Sequence, residues 1–412
     1  MSTWLGARHT RLLGLLATLG ALATPVAAHA LPRFAARTGM DCRQCHVSAS
    51  GGGVRTRYGS AVFQQLLLPA SLGDALGAGE LGLPSTQLTD WLTVGTDVRT
   101  AYLYSAPQRG RTPDEAPATQ SSFFLMQADL YTAAALGPHV RVVLDVGVYS
   151  GFEAWAQLRA RAEPSDVDVW LKVGRFLPAF GVRDANHDLY TRKSVGFDAA
   201  DRDTGVELTG FLGPLTLAVA LVNGTAGDTL FDGYGAAERS FEKALVGRAS
   251  LRLSGEHLHV TLGGSVYLND NAESATPLFV PALDPAVDTS NGVDGLRLGG
   301  HLMLGLGRLS YVGEVVYVRD DFVEAPVTHA EGYAMAHELG VRLWQGVELL
   351  GSVELLDPDL SATGDVTLRG GGAVELYFGP YLEVRTMVRY ALSDLAPTGD
   401  VTDVVVQAHV AY

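Results

Sequence analysis

The chain holds two cysteines, Cys42 and Cys45, and His46 follows them directly. C-x-x-C-H is the spacing of c-type haem attachment. Two thiols two residues apart can each add to a vinyl group on one porphyrin edge, and the adjoining imidazole is then held beneath the ring to bind iron. Cys42 and Cys45 would become thioethers of one covalent haem c, with His46 as the proximal ligand. Other chemistries use the same residue types. Half of a zinc site needs a second pair of ligands, and no further Cys or Cys/His pair stands at ligand spacing. A thioredoxin-type dithiol needs a βαβ setting, and none surrounds the motif; a plain C-x-x-C disulfide is the remaining bland reading.

The compartment agrees with haem attachment. Arg8 and Arg11 precede the apolar run Leu12 to Ala23, then Pro25 and Ala28-His29-Ala30, the layout of a secretory signal over 1–30. The run stops short of the ~20 apolar residues that a spanning helix needs. Cleavage after Ala30 would start the mature chain in an exported compartment, where bacteria attach c-type haem.

Something must hold the motif. Arg55 to Leu68 places Tyr58, Val62, Phe63, Leu66 and Leu67 on one helical face, which predicts a short amphipathic helix able to cover one side of a haem. Pro69 to Ser85 reads as a linker or a second short helix. The segment 31–85 is too small to wrap a haem as a complete cytochrome domain does, so the haem must borrow walls from the rest of the chain.

From Thr86 onward the period is two. In residues 245–253, Leu245, Gly247, Ala249, Leu251 and Leu253 alternate with Val246, Arg248, Ser250 and Arg252. In residues 368–378, Leu368, Gly370, Gly372, Val374, Leu376 and Phe378 oppose Arg369, Glu375 and Tyr377. The pattern predicts sixteen strands over 86–412, with fourteen the next even count. Tight turns at Gly137-Pro138, Gly213-Pro214, Gly255-Glu256, Gln345-Gly346 and Gly379-Pro380 alternate with mostly longer polar links such as 105–121, 178–203, 224–242 and 270–292. Short turns at one end and long loops at the other are the signature of a transmembrane antiparallel β-barrel, an all-β fold. An even strand count leaves both barrel ends on the periplasmic side. A soluble propeller or sandwich also alternates, but there is no blade-length repeat, one face stays uncharged along most strands, and the last strand ends on the aromatic Tyr412.

Residues 168–181, DVWLKVGRFLPAFG, with Asn186-His187-Asp188, Arg192 and the following strand, resemble the central part of phosphate-selective porins of the O and P type. That resemblance implies a loop folded inward as a constriction. The leader FAARTGMDCRQCH resembles monohaem leaders on porin-like outer-membrane proteins, which implies electron exchange at the outer membrane of a Gram-negative bacterium, with periplasmic or outer-membrane cytochromes as partners. The formal net charge of −15, or −17 without the signal arginines, departs from phosphate-selective porins, so anion preference does not carry over. The same acidity argues against nucleic acid as a partner.

The loop 178–203 carries Arg183, Asp184, His187, Asp188, Arg192, Lys193, Asp198, Asp201, Arg202 and Asp203. It is either a constriction with opposed charges or a solvated outer loop. Residues 269–272 and Asp284, Asp288, Asn291 and Asp294 offer oxygen ligands without EF-hand spacing and read as solvated acidic loops. No nucleophile elbow, phosphate loop or H-E-x-x-H occurs, so an enzyme is not expected. For a distal iron ligand, strand parity points to His257, His259, His301 and His409 as lumen-facing and near the short-turn end, with His259 first and His257 next. Two functions compete: a haem-bearing barrel for electron transfer or redox sensing, and a diffusion porin for small solutes with the haem segment as a structural or gating plug.

Overall fold

The computed structural model describes residues 31–67, 86–107, 119–148, 151–160, 167–184, 186–224, 243–272, 293–322, 329–379, 381–393 and 400–412. The signal sequence 1–30, the linker 69–85 and Asp284, Asp288 and Asn291 lie outside the described residues.

Sixteen strands close one barrel: β1 Leu92–Pro107, β2 Gln120–Ala135, β3 Val140–Gly147, β4 Gly151–Arg159, β5 Val167–Phe176, β6 Asp203–Leu212, β7 Leu215–Val222, β8 Ala244–Ser254, β9 Leu258–Ala272, β10 Val293–Leu306, β11 Leu309–Phe322, β12 His329–Trp344, β13 Val347–Asp357, β14 Thr367–Tyr377, β15 Leu382–Ser393 and β16 Val401–Ala411. Each strand pairs with its sequence neighbours, and β1 closes on β16 with Asp97 opposite Ala411. Tyr412 seals the seam, since its amide and carbonyl exchange 2.7 Å hydrogen bonds with Thr96. The antiparallel barrel expected from periodicity is the observed fold, and the two ends of the barrel meet at the tight-turn end.

Alternation sorts the side chains. On β7 and β8, Leu217, Val219, Leu221, Leu245, Leu251 and Leu253 are exposed outward, while Ala218, Ala220, Val222, Val246 and Ser250 are buried on the lumen side. Such an apolar exterior suits hydrocarbon, where every backbone group must find its partner within the protein and only a helix or a closed barrel complies. The lumen is densely charged: Asp97, Asp145, Glu153, Glu207, Glu314, Glu348, Glu375 and Glu383 are all buried there with arginines among them.

Two segments fill this lumen. The leader enters at the tight-turn end as α1 Pro32–Thr38, α2 Cys42–Cys45 and α3 Tyr58–Leu67, the last a wide-turned π-type helix on the stretch expected to be amphipathic. From the other end comes the link between β5 and β6, which carries the short helix α4 Tyr190–Lys193. Of the two readings left open for this link, the inward fold is the observed one. Gly181 N donates to Ser265 Oγ at 2.8 Å, Arg192 to Glu314 at 2.5 Å, and Arg369 to Asp188 at 2.8 Å. Residues 269–272 are not a loop: Asn269 ends deep in β9 and bonds Gly224.

Candidate functional site

The Cys42–Cys45 turn is made by its own sequence. Asp41 caps it: its Oδ1 accepts from Arg43 N at 3.3 Å, and Gln44 Oε1 accepts from Asp41 N at 3.1 Å, a reciprocal capping box. Upstream, Gly39 at φ 64 ends α1 in the left-handed region and reverses the chain into this turn. Downstream, His46 N donates to Cys42 O at 2.8 Å and the backbone turns extended. Val47 N donates to Val54 O at 2.9 Å, so residues 46–55 form a small hairpin. Its tip is Gly51-Gly52-Gly53, all at positive φ, conformations open to glycine at little cost. The tip folds back so far that a side chain at Gly51 would touch Cys42 Sγ at 3.7 Å.

Arginines fix this unit to the barrel. Arg33 donates to Glu348 at 3.1 Å, Glu338 at 3.2 Å and Tyr377 at 3.1 Å, and also to Glu375. Arg37 pairs with Glu348 and Ser310. Arg43 reaches Asp168 at 3.2 Å and covers the Phe211 ring at 3.8 Å. Arg252 holds the capping carboxylate of Asp41 at 2.9 Å. Phe34, Leu31, Phe63 and Tyr377 form an apolar cluster against which Cys45 and Tyr58 pack.

The two thiols are free and partly buried. Burial and the Asp41 carboxylate push Cys42 up, and burial with the neighbouring Cys42 pushes Cys45 up to about 11. They are protonated at neutral pH, unlike an activated nucleophile. His46 is 3% exposed, with its ring against the backbone of Gly52 and Gly53. Burial, with the charges of Arg55 and Arg183, pushes it down to about 3, so the imidazole is neutral and its lone pair is unprotonated.

Beside these three residues lies a narrow cavity of ≈ 50 Å³. Leu31, Phe34 and Phe63 give it apolar walls; Val182 and Arg183 of the inward loop, Arg248 of β8 and Met303 of β10 close the other side. The sequence pointed to Cys42, Cys45 and His46 as one site and did not connect Val182, Arg183, Arg248 or Met303 with it. The signal for Met303 was present in the parity of β10, where it shares the lumen face with His301.

The four histidines proposed for a distal position are elsewhere. His257 lies on the turn after β8, with its side chain 81% exposed beside Glu256, because the turn interrupts the alternation from which its facing was inferred. His259 adjoins Gly39 and Ser254 near the tight-turn end. His409 is held on both sides, by Glu383 at 3.1 Å and Asp97 at 2.8 Å, and His301 Nε2 meets Ser250 Oγ at 3.3 Å. None of the four lines the cavity. Among the described residues no group of three or more His, Cys, Asp and Glu is gathered as a metal site, so the zinc alternative has no second half there.

Solved structures place the architecture. An anion-selective porin of Comamonas acidovorans matches with a TM-score of 0.52 at 11% identity, over 78% of this chain and 99% of that one. The fold is that of an outer-membrane porin. OprB of Pseudomonas putida matches this porin-like barrel with a TM-score of 0.52 at 10% identity, over 78% of this chain and 94% of that one. OmpT of Vibrio cholerae, an outer-membrane protein, gives 0.51 at 9% identity, over 79% and 99%. No family model and no curated protein matches the sequence. The shared coverage is close to the length of the porin-like barrel, residues 86–412.

Proposed function

We propose that the chain is an outer-membrane barrel carrying one covalent c-type haem inside its lumen, attached through Cys42 and Cys45 with His46 as iron ligand, and that it works in electron transfer or redox sensing. The observation that carries this reading is that both thiols and the buried His46 imidazole border one largely apolar cavity. When bound, the haem supplies a one-electron iron couple. The chain's own residues do the rest. Leu31, Phe34 and Phe63 would shield the group from water, the capping box holds the two thiols one helical turn apart, and Arg183 and Arg248 would supply positive charge for its carboxylates.

The hydrocarbon layer is ~30 Å thick, more than one macrocycle spans. Electron exchange therefore needs a partner, for which periplasmic or outer-membrane cytochromes are the fitting class. A second reading has its own support. The fold is shared with porins, one of them anion-selective by its name, and a diffusion porin for small solutes would use the leader as a plug, held by Arg33 and Arg37.

A peroxidase haem stain of the purified protein after denaturing electrophoresis tests the attachment. Staining is expected in the wild type and absent from Cys42→Ala/Cys45→Ala; stain surviving the double change rules out covalent attachment. Function is separated by two measurements on the wild type. Reduction by a periplasmic cytochrome with little conductance in liposomes supports electron transfer. An inert haem in a conducting barrel supports the porin.

A further inference from the structure

Met303 is, with Arg248, one of two barrel-strand residues that border the cavity beside Cys42, Cys45 and His46. It stands on the lumen face of β10 and is 7% exposed, packed with Ala36 of α1, Val182 of the inward loop and Val312 of β11. Two residues along the same face, Gly305 lies so close to the backbone of Ala36 and Arg37 that no side chain fits between them. The leader helix and Met303 are thus held in one fixed register. Met303 borders the same cavity as Cys42, Cys45 and His46.

We propose that the thioether sulfur of Met303 is the second axial ligand of the haem iron, donating a lone pair on the face opposite His46. The proposal rests on the haem reading above. Axial ligands approach from opposite faces of the ring, so they come most readily from separate elements. His46 belongs to the leader and Met303 to the barrel wall. The cavity offers one other soft donor, Met40. It lies two residues before Cys42, on the same leader stretch as His46. The histidines are worse placed: His409 is committed to two carboxylates, His257 is on an exposed turn, and neither His259 nor His301 borders the cavity. Because the bond is dative, no oxidant or proton is consumed. Histidine–methionine ligation raises the reduction potential relative to ligation by nitrogen alone, so this haem would accept electrons readily from its donor.

The test uses full-length protein in detergent, with covalent haem checked by staining and barrel assembly by heat-modifiable electrophoretic mobility. Wild-type ferric protein should be low-spin, with the weak red-edge band of a sulfur–iron bond. Met303→Leu keeps the side-chain volume and should lose that band and turn high-spin. Met303→His should lose the band, stay low-spin and show a lower midpoint potential; it carries the test if the leucine variant fails to assemble. Met40→Leu, His259→Ala and His301→Ala should leave the band unchanged. A band that persists without Met303, one that vanishes with Met40, or a high-spin wild type overturns the assignment while leaving the haem in place. An unstained wild type overturns the haem reading itself, and the assignment with it.

Discussion

Arg33 of the leader donates from Nε to Glu348 Oε2 of β13 at 3.1 Å, and neither side chain is more than 3% exposed. The same guanidinium meets Glu338, Glu375 and Tyr377. One arginine therefore bridges three lumenal acids that would otherwise repel one another in a poorly hydrated space, with Arg37 and Arg385 adding charge beside it. Removing one partner of such a buried pair costs about 3–5 kcal/mol, because the other charge stays behind. Arg33→Ala should release α1 while the barrel, whose backbone ladder is untouched, remains folded. Proteinase K digestion of reconstituted protein should then remove the leader from the variant and spare the wild type. A variant as resistant as wild type would show that the apolar cluster around Phe34 suffices.

A close approach fixes α3 over the cysteine turn. At Gly59 a side chain would run into the Cys45 carbonyl, so the helix that carries Phe63 can lie on the turn only with glycine there. Gly59→Val should push α3 away and open the cavity to water. Haem stain per barrel should fall severalfold, with heat-modifiable mobility unchanged. Equal staining would mean that the leader tolerates the helix in another position.

What the sequence made legible divides by the range of the interaction. The strands were readable because each must alternate in order to face lipid and lumen, a rule carried by neighbours such as Leu251 and Arg252. The Cys-x-x-Cys-His unit was readable because its capping and spacing are local. The partners of Arg33 were not, since Glu338, Glu348 and Glu375 are more than 300 residues away and many lumen-facing acids look alike in one dimension. The inward course of the loop after β5 was undecidable from its charges, because a solvated loop has the same composition; what decides it is the set of bonds to Ser265, Glu314 and Arg369. His257 was misassigned because parity was counted through a turn.

The inward loop carries its own pH dependence. Burial raises Asp201 to about 6, against an opposing hydrogen bond that its Oδ2 accepts from Asp198 N at 2.7 Å. A carboxyl whose folded value lies above its ordinary 3.8 favours the folded loop when protonated. That contribution is complete below pH ~4 and is lost as pH rises through about 6. It is worth on the order of 2–3 kcal/mol, with partial exposure screening it toward the low end. Hydrogen exchange of residues 186–202 should slow as pH is lowered from 7 to 5, after correction for intrinsic rates, and Asp201→Asn should flatten that change. A wild-type loop indifferent to pH in this window would contradict the assignment.

On the proposed haem assignment, Arg183 and Arg248, which line the cavity, should set the potential. A positive charge stabilises the ferrous state, which has one positive charge fewer at the iron, so removing it lowers the midpoint. With an effective dielectric constant of about 20, a unit charge about 10 Å from the iron is worth roughly 1.7 kcal/mol, or about 70 mV in a one-electron couple. Arg183 sits 3.6 Å from Glu153, which offsets part of its field. Arg248→Gln should therefore lower the midpoint by several tens of millivolts, and Arg183→Gln by less. Spectroelectrochemical titration of the two variants beside wild type measures both, and the ordering is the sharper criterion because the common errors of titration cancel. Raised ionic strength should barely change the difference, since charges enclosed in the lumen are screened less than those at the surface. If Arg248→Gln leaves the midpoint where it was, the haem does not occupy the cavity between the leader and the inward loop.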